Sequence, residues 1–79
     1  MKPKQYIIIG DTKGGSRVAR IKNGWIYAHM GMNHGCWFKW DSPVEALTEA
    51  FFLQKMLKDV MTLHVEAYYH QPLIAERVA

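Results

Sequence analysis

The sequence predicts an α+β fold: an antiparallel β-meander of three to four strands, then one long C-terminal α-helix packed on one face of the sheet, ββββα in order. Three observations carry this expectation. The first forty residues are short β-branched and aromatic runs separated by glycine-containing turns. Asn23-Gly24 lies between two such runs and is a strong hairpin signal, because Asn and Gly tolerate the positive φ angles of a tight two-residue turn. Ser42-Pro43-Val44-Glu45 is a capping box with proline at the first helical position, so a helix starts there.

The first strand is expected over about Gln5 to Ile9, followed by the polar, glycine-rich loop Gly10 to Ser16. That loop is expected to be mobile and basic. It lacks the glycine–lysine spacing of a nucleotide-binding loop, although Lys13 could touch a phosphate. The second strand runs from about Ser16 to Lys22 and the third from Trp25 to about Met30. A short fourth strand covers Cys36 to Trp40. With Asn23-Gly24 as the turn, Lys22 faces Trp25 and Arg20 faces Tyr27. Alternation then gives a core face of Ala19, Ile21, Ile26, Ala28 and Met30. The opposite face carries Arg20, Lys22, Trp25, Tyr27 and His29, joined by Trp37 and Lys39. The helix is expected over 42–70, where Gln71-Pro72 stops it, leaving a short tail over 71–79. On a helical wheel its apolar arc spans about 180°, wider than one sheet can cover.

A chain of 79 residues is one small domain, with a sheet half over 1–40 and a helix half over 42–70. At this size only about 60% of the unfolded surface is buried, so a second chain would reinforce the core. The surplus apolar helix surface predicts a homodimer through the long helix, with Phe52, Met56, Val60, Leu63 and Ala67 at the dimer or partner interface. One cysteine excludes an internal disulfide framework. No apolar run approaches the roughly 18 residues that cross a bilayer, and Lys2 and Lys4 are not followed by the apolar segment of a signal peptide. The expectation is a cytoplasmic protein without a membrane partner.

Charge is unevenly divided. Residues 1–40 carry seven Lys or Arg against Asp11 alone, a net +6, and residues 41–79 carry a net −3. A basic half interleaved with aromatics suits a polyanion: cations meet phosphates, and flat rings stack on bases. The expected nucleic-acid-binding residues are Lys13, Arg17, Arg20, Lys22, Trp25, Tyr27, His29, Trp37 and Lys39. The same residue types also make protein hot spots. The alternative is therefore a small inhibitor or adaptor of phage or mobile-element type, acting on a host protein through the aromatic sheet face or the apolar helix surface.

The run Arg17, Arg20, Asn23-Gly24, Ile26-x-Ala28-x-Met30, Gly35, Trp40-Asp41-Ser42-Pro43-Val44-Glu45-Ala46 and Ala50-Phe51 resembles the ethylene-response-factor-type DNA-binding domain. It is similar also to the arm-binding domains of phage-type integrases. The resemblance covers residues 16–52 and implies a three-stranded sheet backed by a helix, with the free sheet face on DNA.

Catalysis is not expected. His29, His34 and Cys36 cluster near one loop without the spacing of a zinc site, and His64 and His70 have no paired carboxylate pattern. Neither a metal nor a cofactor is expected, and Cys36 reads as a small core residue.

Overall fold

The computed structural model describes residues 5–28 and 34–69. Strands β1 (Gln5–Thr12), β2 (Arg17–Ile21) and β3 (Gly24–Tyr27) are followed by one turn of 3-10 helix at His34–Cys36. Helix α1 (Pro43–Leu57) and strand β4 (Met61–Tyr68) complete the order βββαβ. The sheet has the order β3-β2-β1-β4 with every neighbouring pair antiparallel. The α+β class and the helix packed on an antiparallel sheet are as expected. Two elements differ. The fourth strand is Met61–Tyr68 rather than 36–40, and the helix is fifteen residues long rather than spanning 42–70.

β1 is the central strand, paired on both edges and buried on both faces. Ile7 and Ile9 point to one face, with Ala19 and Ile26; Ile8 points to the other, beneath Ala50 and Leu53 of α1. A continuous apolar run such as Ile7-Ile8-Ile9 suits a strand covered on both sides. β1 extends three residues past its expected end because Gly10, Asp11 and Thr12 pair with Leu63, Thr62 and Met61 of β4. Gly10 has no side chain to obstruct Met61, Leu63 and Val18, which crowd over it.

The β1–β2 connection is tighter than a mobile loop. The Thr12 N–H donates to the Ser16 carbonyl (2.8 Å), the Gly15 N–H to the Thr12 carbonyl (3.0 Å) and the Ser16 N–H to Thr12 Oγ1 (3.0 Å). Gly15 takes φ +91° here, a left-handed conformation that glycine adopts without steric cost. In the β2–β3 hairpin the turn residues are Lys22-Asn23, so Arg20 faces Trp25 and Ala19 faces Ile26. The expected register is displaced by two positions, which leaves the assignment of side chains to faces unchanged. This register seats Ile26 against the cluster of Ile7, Ile9 and Ala19.

β1 and β2 part after the Ile9–Ala19 pair, and residues 37–40 fill the fork. Trp37 bridges to Ile21, the Phe38 N–H donates to the Arg20 carbonyl (2.8 Å), and Trp40 exchanges two backbone hydrogen bonds with Tyr6 (2.7 and 2.8 Å). A segment that meets one strand at each of its ends forms isolated bridges, not the expected strand.

α1 begins as expected. Ser42 Oγ accepts from the Val44 and Glu45 N–H groups (3.2 and 3.4 Å), and Pro43 occupies the first turn. Ala46, Ala50 and Leu53 bury against β1 and β4, which places the helix on the face expected to be free. It ends at Leu57 in a tight turn closed by the Val60 N–H on the Leu57 carbonyl (2.8 Å). Beyond it the side chains alternate: Met61, Leu63 and Val65 face α1, while Thr62, His64 and Glu66 face away. No helix among the described residues is long and apolar enough to cross a membrane. Expectations placed on His29, Met30 and the tail 71–79 fall outside the described residues.

Candidate interaction surfaces

The sheet separates the cations and aromatics that sequence reasoning grouped on one face. Arg20, Trp25 and Tyr27 stand on the face that also carries α1. Arg17, Trp37 and Lys39 lie on the other, beside Glu66 and Tyr68. Lys13 and Lys22 are exposed in the two turns at opposite ends of β2.

α1 covers β1 and β4, leaving a shelf over β2 and β3. On it the Arg20 guanidinium lies 5.3 Å from the Trp25 ring centre and donates to the Gly24 carbonyl (3.3 Å). Trp25 also packs beside the cluster of Ile8, Ala50 and Leu53. Tyr27 is 59% exposed. A concavity of about 550 Å³ opens beside these rings, lined by Thr12, Ser16, Val18, Trp25, Ile26 and Tyr27. The turn that carries Lys13 closes one end of it.

The outer surface of α1 is unusually apolar for a helix whose inner face is already buried. Met56 is 72% exposed, Phe51 62%, and Phe52 and Leu47 57% each; Lys55 Nζ lies 4.5 Å from the Phe51 ring centre. At about 100° per residue these side chains form two flanks. Leu47 and Phe51 look towards β4, where they line a groove of about 250 Å³ with Leu63 and Val65. Phe52 and Met56 lie on the other flank, away from β4. The Phe52 ring meets the Phe51 ring edge-on at 6.5 Å across the outer crest, with Lys55 Nζ 5.9 Å from the Phe52 ring centre. The expected interface is therefore divided: Phe52 and Met56 are on α1, Val60 is in the following turn, Leu63 lies beneath the helix, and Ala67 is exposed on β4.

The second sheet face carries a polar chain that the sequence reading missed. Arg17 Nη2 and His64 Nε2 both donate to Glu66 Oε2, each at 2.6 Å, and His64 Nδ1 is 3.6 Å from Asp11. Nearby, Lys39 Nζ donates to the His34 and Trp37 carbonyls (2.7 and 2.9 Å) and lies 5.0 Å from the Tyr68 ring centre. Burial lowers the Lys39 pKa and outweighs Cys36, which acts in the opposite sense. Cys36 itself is exposed rather than a core residue. Among the described residues, no three His, Cys, Asp or Glu side chains gather as a metal site. The missed signal was the two-residue alternation of 61–68, which places His64 and Glu66 side by side.

For Glu66, desolvation acts to raise the pKa, but hydrogen bonds and charge from His64 and Arg17 outweigh it and hold the carboxyl below its usual value. The resulting stabilisation is complete above the ordinary glutamate pKa and is lost as the pH falls through the lowered one. Glu66→Gln is expected to cost about 1 kcal/mol at neutral pH, since the group is partly exposed. Melting temperatures from pH 7 downwards should converge for the two proteins, and a gap that persists in acid would place the effect elsewhere.

Comparison with protein-family models, curated proteins and solved structures finds no match. The functional reading therefore rests on these surfaces.

Proposed function

We propose that this chain is a non-enzymatic protein-binding module whose main surface is the step between α1 and the β2–β3 shelf. Phe52 and Met56 form the wall, and Arg20, Trp25 and Tyr27 form the floor. The supporting observation is the exposure of Met56 and Phe52 on a helix that already buries its other face. Contiguous exposed apolar surface of this kind marks interaction sites. Met, Arg and aromatic residues are the types enriched where protein partners bind. Arg20 in the floor, with Lys13 and Lys22 exposed in the turns at the two ends of β2, favours a partner with acidic groups around an apolar anchor. Affinity capture from nuclease-treated lysate of the source cells tests this reading, comparing the native chain with Phe52→Glu/Met56→Glu. The expected result is a partner retained after nuclease and lost with the double variant. A partner equally retained by that variant, or released by nuclease, overturns it.

Nucleic-acid binding is the second reading. It is supported by the Arg20–Trp25 stack, the exposed Tyr27 ring and the adjoining concavity. The resemblance of residues 16–52 to sheet-and-helix DNA-binding domains points the same way. On this reading Arg20, Lys13 and Lys22 contact phosphate while Trp25 and Tyr27 stack. Binding would then weaken steeply with salt, and Arg20→Glu/Lys22→Glu would abolish it. Titration of labelled single- and double-stranded oligonucleotides decides, and salt-independent binding that survives the double variant would exclude this reading.

A further inference from the structure

Among the described residues β4 is an edge strand, eight residues long with neither proline nor lysine in it, and its backbone shows how it can be extended. The Leu63 N–H donates to Gln54 Oε1 (2.7 Å), and Gln54 Nε2 donates to the Met61 carbonyl (3.0 Å). On β1, Tyr6 gives both its backbone groups to Trp40, so its partner Ala67 receives neither. The β1–β4 register is unbroken over 61–68, which means that Met61, Leu63, Val65 and Ala67 all turn their N–H and C=O groups outward. Gln54 imitates a neighbouring peptide at one end of this edge. No described residue bonds the outward groups of Val65 and Ala67, or the Leu63 carbonyl.

We propose that this edge pairs with a second copy of the chain. The two β4 strands run antiparallel about a two-fold axis at Val65 and join two four-stranded sheets into one of eight. Charge selects the register. Centring the axis on Glu66 sets two glutamates opposite each other, which is destabilising. Centring it on His64 sets the two histidines opposite each other and each Glu66 opposite Thr62, so no oppositely charged residues meet. Centring it on Val65 sets His64 opposite the second copy's Glu66 and Leu63 opposite its Ala67, large against small. Each Val65 N–H then meets the other Val65 carbonyl, and each Ala67 N–H meets the other Leu63 carbonyl. Completing each Leu63–Ala67 pair requires the flexible Gln54 side chain to release the Leu63 N–H, which then donates to the second copy's Ala67 carbonyl. On the helix side, the groove lined by Leu47, Phe51 and Val65 is brought against its own symmetry mate. The strand edge itself is separate from the step proposed for partner binding, although Phe51 and Phe52 touch across the crest of α1, so Ala67→Pro tests the pairing alone.

Sedimentation equilibrium of the full chain tests the pairing. The expected mass is twice 9.2 kDa. Ala67→Pro removes an outward N–H that β1 does not use and should halve the mass with the circular dichroism spectrum preserved. Should that variant unfold, Phe51→Glu, at an exposed position, should weaken the dimer at least tenfold. Val65→Cys in a Cys36→Ser background should form a covalent dimer on mild oxidation, because opposed strand residues lie within disulfide reach. A monomeric native chain overturns the proposal. A dimer that resists Ala67→Pro and Phe51→Glu, or fails to cross-link at Val65, also overturns it.

Discussion

Replacing Ile8 by alanine is expected to destabilise the domain by about 2–5 kcal/mol. Ile8 is fully buried at the centre of the sheet and forms one cluster with Ala50 and Leu53 of α1, flanked by Trp25, Trp40, Leu63 and Val65. The helix supplies mainly alanine at the contact, so the isoleucine provides much of the volume that holds it in place. A cavity there cannot be filled by a neighbouring large helix side chain, since Phe51, Phe52 and Met56 point outward. At roughly 0.05–0.15 kcal/mol per residue, the whole chain has about 4–12 kcal/mol of stability. One substitution would thus remove a large share of it. For domains of this size each kcal/mol moves the melting temperature by about 4–8 °C. Urea denaturation should show a lower midpoint for Ile8→Ala and a change within about 0.5 kcal/mol for Leu47→Ala at the surface. Comparable midpoints for the two variants would mean that α1 does not dock through Ile8.

Gly10→Val is the second large effect, and it acts by overfilling. A Cβ atom at Gly10 would stand 3.0 Å from Leu63 Cδ2 and 3.3 Å from Val18 Cγ2, with the Met61 sulfur closer still. The thioether can swing away from one added methyl group. A branched side chain has no such outlet, because β1 is paired on both sides and cannot shift without breaking the Gly10–Leu63 and Gly10–Val18 pairings. The expected loss is about 1–3 kcal/mol for Gly10→Val, with Gly10→Ala costing less. Chemical denaturation of both variants gives the order. A Gly10→Val protein as stable as the native chain would require Met61 and Leu63 to pack elsewhere.

The sheet was legible wherever a local signal sufficed. Ser42 and Pro43 start the helix on the expected residue, and alternation assigned Arg20, Trp25 and Tyr27 to a single face. Three features were not legible, for separate physical reasons. Residues 58–70 contain good helix formers, and the turn after Leu57 has no glycine or proline to mark it. The signs of a strand within it were the excessive apolar arc of the expected helix, the two-residue alternation of 61–68 and the β-branched and aromatic residues Thr62, Val65 and Tyr68. The helix-bearing face depended on β4, whose Met61, Leu63 and Val65 make that face the more apolar one. Finally, residues 36–40 have strand-like composition, but the fork between β1 and β2 admits only single bridges. In the candidate site, residue types were legible and their distribution between two sheet faces was not.

The position of β1 governs the order in which the fold can assemble. Its pairing with β4 joins Gln5 to Tyr68, whereas β2 and β3 lie close behind it in the chain. The meander of three strands can therefore form from local contacts, while one edge of Ile7-Ile8-Ile9 waits for the last strand to return. Closing so long a loop is slow compared with hairpin formation. During synthesis, the most apolar strand is the first made and the last to be sealed, so aggregation of nascent or refolding chains would begin there.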